Sequence, residues 1–136
     1  MGEIGLEISK QKRIITFYDA AVKTASENSA AKEVYPARSG IVEVDVTAVS
    51  GTTPVLRVFV ETSPDNVTWF HCASVSEKER QGNLTRLTAP VTGAGINDVR
   101  KVVAWVENLS RYVRLALTIT GTTPSFTFSS KVTLYA

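Results

Sequence analysis

His71 and Cys72 are the only histidine and the only cysteine of the chain, and they stand side by side, an imidazole next to a thiol, the residue types of a base-activated nucleophile. Direction argues against the pair. Both fall in an apolar run, Trp69 to Val75, that reads as a strand, and successive strand side chains project to opposite faces. A lone histidine also removes any histidine triad and any multi-histidine metal centre. His71 is accordingly read as a rim or surface imidazole, and Cys72 as a small buried apolar residue.

Carboxylates come next. Glu43 and Asp45 share a strand face, a spacing that could serve acid-base work or a hard cation, but a charged stripe facing solvent explains them without a ligand loop. Asp65 and Asn66 could ligate calcium, yet the turn Ser63-Pro64-Asp65-Asn66 accounts for both through backbone geometry. Thr92-Gly93-Ala94-Gly95 lacks the Lys-Ser/Thr and the following helix of a phosphate loop. The triplets beginning at Asn66, Asn83 and Asn108 fit glycosylation acceptors by pattern and read as turn residues by context. No catalytic, cofactor-binding or metal-ligating residue is assigned, and the chain reads as no enzyme. Among the aromatics, Trp69, Phe70, Trp105 and Tyr112 near strand ends could stack on a sugar ring, with core packing competing for them.

The elements that carry these residues are strands. Val42, Val44, Val46 and Ala48 alternate with Glu43, Asp45 and Thr47, and Phe126, Phe128, Ser130, Val132 and Leu134 alternate with polar neighbours, the pattern of a sheet with one buried and one wet face. Arg100 to Val106 and Tyr112 to Thr120 read the same way. Gly-Thr-Thr-Pro occurs twice, at Gly51 to Pro54 and at Gly121 to Pro124, about half the chain apart and each between alternating runs. Each copy predicts a hairpin: positive φ at the glycine, and a proline that holds the threonine before it extended. Ser63 to Asn66 predicts a further hairpin returning through Trp69 to Val75.

Ile14 to Ala25 predicts a first strand with a bulge at Asp19 and Ala20, Ser26 to Gly40 a surface loop with one helical turn at Ala30 to Glu33, and Leu84 to Val91 a weaker strand. The whole predicts an all-β domain over residues 14–136, a β-sandwich in the form of a jelly roll of about eight strands, with a closed barrel as the alternative. Residues 1–13 read as an extended N-terminal arm.

With 136 residues the chain can bury a core without a disulfide or metal staple. Its net charge of +2 is too small and too dispersed to predict a nucleic-acid site. No run approaches a membrane helix or a signal peptide, so synthesis inside a cell without export is expected. The arm alternates Ile4, Leu6 and Ile8 and then carries Lys10, Lys12 and Arg13, which suits addition of a strand to a partner sheet or contact with an acidic protein surface.

Two runs carry a family resemblance. Val49 to Trp69, VSGTTPVLRVFVETSPDNVTW, and Arg111 to Phe128, RYVRLALTITGTTPSFTF, resemble small structural proteins encoded among the head and tail genes of tailed bacteriophages and prophages. The resemblance implies an all-β virion module. The expectation is a capsid decoration, or cement, protein assembled in the host cytoplasm, lying on the capsid surface, binding the major capsid protein and forming a homo-oligomer, a trimer by preference. Its contacts would come from Ile4, Leu6, Ile8, Lys10, Lys12 and Arg13 and from the loop Ser26 to Gly40, and several copies bridging several subunits would supply avidity. Ser63, Asp65 and Trp69, with Arg111, Tyr112, Val113 and Arg114, are also similar to the turn and strand of galactose-binding-like and discoidin-like jelly rolls. That likeness implies the alternative, a tail or baseplate module binding host carbohydrate at Trp69 and Tyr112.

Overall fold

The computed structural model describes residues 12–75, 85–86 and 95–135. Its strands are β1 (Lys12–Lys23), β2 (Glu27–Asn28), β3 (Lys32–Glu33), β4 (Ser39–Ser63), β5 (Phe70–Ser74), β6 (Thr85–Arg86), β7 (Lys101–Val106) and β8 (Tyr112–Tyr135). All belong to one antiparallel sheet, so the fold is all-β. The spine of the sheet is a ribbon of β4 and β8, paired from Ser39↔Tyr135 at one end to Ser63↔Tyr112 at the other. β1, β2 and β3 pair with β8, β5 and β7 with β4, and β6 with β5.

The two Gly-Thr-Thr-Pro motifs are not hairpin turns. Val46 pairs with Phe128 and Leu56 with Ile119, so each strand runs on through its motif and the two motifs face each other at mid-ribbon. Both glycines take positive φ as expected, 110° at Gly51 and 124° at Gly121. The expectation for the threonines before the prolines fails, because Thr53 and Thr123 also have positive φ, 49° and 47°. A β-branched residue in this region is strained. Each is held by its own hydroxyl, Thr53 Oγ1 donating to Thr52 O at 2.7 Å and Thr123 Oγ1 to Thr122 O at 2.8 Å.

Reciprocity explains why the pattern misleads. The left-handed residues that would close a hairpin here make a bulge on each strand, and each bulge occupies the space left by the glycine opposite. A Cβ on Gly51 would lie 2.6 Å from Thr123 O, and one on Gly121 2.8 Å from Thr53 O. Bulges bend and twist a strand, and this pair doubles the ribbon back. The segment 107–111 touches both ends of β4: Leu109 N donates to Arg38 O at 3.0 Å, and Ser110 N donates to Thr62 Oγ1 at 2.7 Å. Cys72 Sγ also donates to Glu107 O at 3.2 Å, and Arg13 Nη2 to Glu33 O at 3.4 Å.

Both halves of the ribbon therefore line one core. Val42, Val44, Val46, Phe126 and Phe128 from one half join Leu56, Val58, Leu115 and Leu117 from the other in a single buried apolar cluster. Burying each such side chain is worth roughly 1.5–3 kcal/mol, against a strain of about 1–3 kcal/mol for each left-handed threonine. Many buried side chains outweigh two strained residues.

Several expectations hold. The bulge at Asp19 and Ala20 lies between Tyr18↔Ser130 and Ala21↔Phe128. The Ser63 to Asn66 turn returns β4 into β5, with Asn66 at φ 62° and Asp65 Oδ1 accepting from Val67 N and Thr68 N at 2.9 and 2.8 Å. Asn108, at φ 58°, is likewise a turn residue.

Others are corrected. Lys12 and Arg13, read as arm, open β1 and pair with Tyr135 and Leu134. The loop Ser26 to Gly40 carries β2 and β3 instead of a helical turn, because Ser26 Oγ and Ser29 Oγ accept from Ile119 N and Leu115 N, each at 2.9 Å, and tie the loop along β8. Of the expected strand Leu84 to Val91 only Thr85–Arg86 falls within the described residues, and Thr92 to Ala94 and Asn83 lie outside them.

Replacing Gly121 by valine should destabilise the domain by roughly 1–3 kcal/mol through backbone strain and the clash with Thr53 O. Thr122→Ala at the same crossing should cost much less. Urea melts of the two variants measure the difference, and equal midpoints would contradict the assigned crossing.

Candidate functional site

One half of the doubled ribbon has a four-strand order, β1-β8-β4-β7, and its inward face is the packed core. Alternation then dictates what points outward. Residues directly opposite across antiparallel strands share a face, so the registers assemble outward rows. Ile14, Thr133, Ile41 and Trp105 form one row; Thr16, Lys131, Glu43 and Val103 form the next; Ser129, Asp45 and Lys101 continue it beside the β1 bulge. On the other side of the first row stand Tyr135 and Ser39.

Large apolar side chains are held out on this face, with Ile14 56%, Val103 58% and Trp105 41% exposed. The Trp105 and Tyr135 rings lie 6.1 Å apart between centroids, and Trp105 Nε1 donates to Glu107 Oε1 at 2.8 Å. Beside the apolar row Glu43 bridges two cations, Lys101 Nζ at 2.9 Å and Lys131 Nζ at 3.7 Å. Hydrogen bonding to Lys101 holds the Glu43 carboxyl below its ordinary value, and the same bond raises the Lys101 ammonium. Between these charges and the β1 bulge lies a groove of about 230 Å³ lined by Asp19, Asp45, Ser129, Lys101 and Lys131.

The residues singled out by chemistry are dispersed. His71 is buried rather than at a rim, because β5 is internal to its half of the sheet, and its ring meets Phe59 edge-on at 6.0 Å between centroids. Cys72 is buried, as expected, and bonds to Glu107 O, away from the imidazole. Glu43 and Asp45 do share the outward face, with Glu43 engaged by lysines. Among the described residues no group of His, Cys, Asp and Glu is placed to hold a metal ion.

The proposed sugar platform lies on the other half of the ribbon, where Trp69 and Tyr112 each have one ring face covered. The Arg114 guanidinium sits 4.1 Å from the Trp69 centroid, and that of Arg111 5.6 Å from Tyr112. Arg114 Nε also donates to Glu61 Oε1 at 2.7 Å, and Arg111 Nε to Glu33 Oε2 at 2.6 Å. These arginines thus act within the fold. Of the arm residues, Ile4, Leu6, Ile8 and Lys10 lie outside the described residues. Sequence reasoning passed over Ile14, Ile41 and Val103; the available signal was that Val103 and Trp105 share the parity of Lys101, the polar side of β7.

No family model, curated protein or solved structure matches this chain.

Two outcomes test this account. Glu61 is 5% exposed, so Arg114→Ala leaves a buried carboxylate without its charged partner and should destabilise by about 2–3 kcal/mol, lowered from a fully buried pair by the partial exposure of Arg114. Arg114→Lys should rescue little of this in urea melts, since an ammonium cannot both donate in that geometry and stack on Trp69. The second concerns pH. A carboxyl whose folded value is depressed stabilises the protein above its unfolded value and loses that contribution as pH falls through the folded one. Stability should therefore drop as pH falls below 4.5, and Glu43→Gln should flatten that drop. Asp65, lowered by the Thr68 and Val67 amides, keeps part of it.

Proposed function

We propose that this chain is a non-enzymatic structural module of a tailed-phage virion, a decoration protein that binds and stabilises the major capsid shell as a homo-oligomer. The observation that carries the reading is the outward face of β1-β8-β4-β7, where Ile14, Val103 and Trp105 are presented to solvent by a sheet whose inward side is already packed. Exposed apolar surface rimmed by charge marks interaction sites. The doubled-back ribbon with its single core supports a sandwich of jelly-roll type. The two phage-like runs include both halves of the Gly-Thr-Thr-Pro crossing, so the resemblance falls on the feature that shapes the fold.

The arm supplies the second contact. β1 pairs with β8 alone among the described strands, and residues 1–11 precede it with the alternation Ile4, Leu6, Ile8, which suits strand addition to a partner sheet. One face of both Trp69 and Tyr112 is covered by arginine, so the carbohydrate alternative would have only the second face of each ring for stacking.

Purified protein mixed with matching empty shells should co-sediment to a fixed stoichiometry, and deletion of residues 1–11 should weaken capture at least ~10-fold by removing one of several linked contacts. Failure of the full chain to co-sediment would overturn the decoration reading. Undiminished capture of the truncated chain would remove the arm from it.

A further inference from the structure

Within the reading of the β1-β8-β4-β7 face as an assembly surface, we infer that its occupant is a second copy of this chain, packed face to face about a two-fold axis that runs along the strands between β8 and β4. Such an axis reverses the strand order while keeping each row level. β1 then faces β7 of the second copy, and β8 faces β4, so the rows can be matched residue by residue.

In the apolar row, Ile14 comes opposite Trp105 of the second copy, and Thr133 opposite its Ile41. In the next row, Glu43 comes opposite Lys131 of the second copy and Lys131 opposite its Glu43. One step further, Lys101 on β7 comes opposite the β1 bulge that carries Asp19, on the groove it already shares with Asp45. Every contact occurs twice, as an isologous interface requires. A two-fold axis at right angles to the strands does worse: through the apolar row it sets the Glu43 and Lys131 row against Tyr135 and Ser39, with no opposite charge to meet, and through the Glu43 row it sets like charges against each other. Charge complementarity thus selects the axis along the strands, and aligned sheet packing accommodates it.

Size sets the strength. Four strands at ~4.8 Å and six residues at ~3.4 Å give a projected face of ~400 Å², about half the ~800 Å² that each partner of a standard stable interface contributes. The contact is a reversible one, dependent on concentration. It also differs from the trimer expected from sequence, since an isologous contact closes at two copies and a three-fold ring needs a heterologous one.

Sedimentation of the full chain should show a monomer of 14.8 kDa in reversible exchange with a dimer. Glu43→Lys and Lys131→Glu should each weaken self-association at least ~10-fold, because each sets like charges against one another twice in its own homodimer. An equimolar mixture of the two variants should recover association as a heterodimer. In it the introduced lysine of one chain meets the introduced glutamate of the other, and the native Lys131 of the first meets the native Glu43 of the second. Recovery on mixing cannot come from pairing within one chain. Trp105→Glu, on an exposed position, should weaken association to a similar degree, with circular dichroism and urea midpoints checking that each variant folds.

A chain that stays monomeric up to its solubility limit, a trimer, a dimer indifferent to all three substitutions, or variants that do not recover on mixing would each overturn the inference. Shell co-sedimentation is measured separately. A monomer that still binds shells defeats this inference and the homo-oligomer with it while shell binding stands, and a dimer that ignores shells defeats the decoration reading alone.

Discussion

The reciprocal crossing of the two Gly-Thr-Thr-Pro segments is the constraint on which the other features rest. At mid-ribbon each strand pushes an irregular, left-handed threonine into the space that the opposite strand leaves by having a glycine. Neither half works without the other, since any side chain on Gly51 or Gly121 would meet a backbone oxygen of the facing motif. The arrangement bends both strands at one point and turns a long ribbon into two halves that share one core. Its strain is local, while the return is the burial of Phe126, Phe128, Leu56, Leu115 and their neighbours.

From that bend follows the division of labour between faces. Within each half one parity of β4 and of β8 is committed to the core, odd positions Val113 to Ile119 and then even positions Phe126 to Leu134 on β8, so the opposite parity of that half must point away from it. On the β1-β8-β4-β7 half that outward parity holds Ile14, Ile41, Val103, Trp105 and the Glu43 cluster. Exposed ion pairs contribute little to stability, and Glu43 with its two lysines is not what holds the fold. Charge of this kind sets register and partner choice where surfaces meet, and here it lies directly beside the apolar row.

The other half uses similar residue types differently. Arg114 reaches both Glu61 and the face of Trp69, and Arg111 reaches both Glu33 and Tyr112. An aromatic ring and an arginine near a strand end suggest a ligand platform when read along a chain. In three dimensions the arginine is itself the ring's partner, and the cluster fastens strand ends.

Strand identity, the inward parity of β8, the β1 bulge at Asp19 and Ala20, and the Ser63 to Asn66 turn were legible in the sequence, because each depends on neighbours a few residues apart: alternation, a proline at a turn, an asparagine tolerant of positive φ. The crossing was not. A glycine with positive φ between alternating runs is equally consistent with a hairpin turn and with a bulge facing its twin, and the choice lies with residues half a chain away. The burial of His71 and the capping of Trp69 by Arg114 depend on strand order for the same reason. So does the gathering of Ile14, Ile41 and Trp105 into one row: each looks unremarkable in its own strand, and only the pairing of β1, β8, β4 and β7, set by how the bent ribbon packs, makes a surface of them.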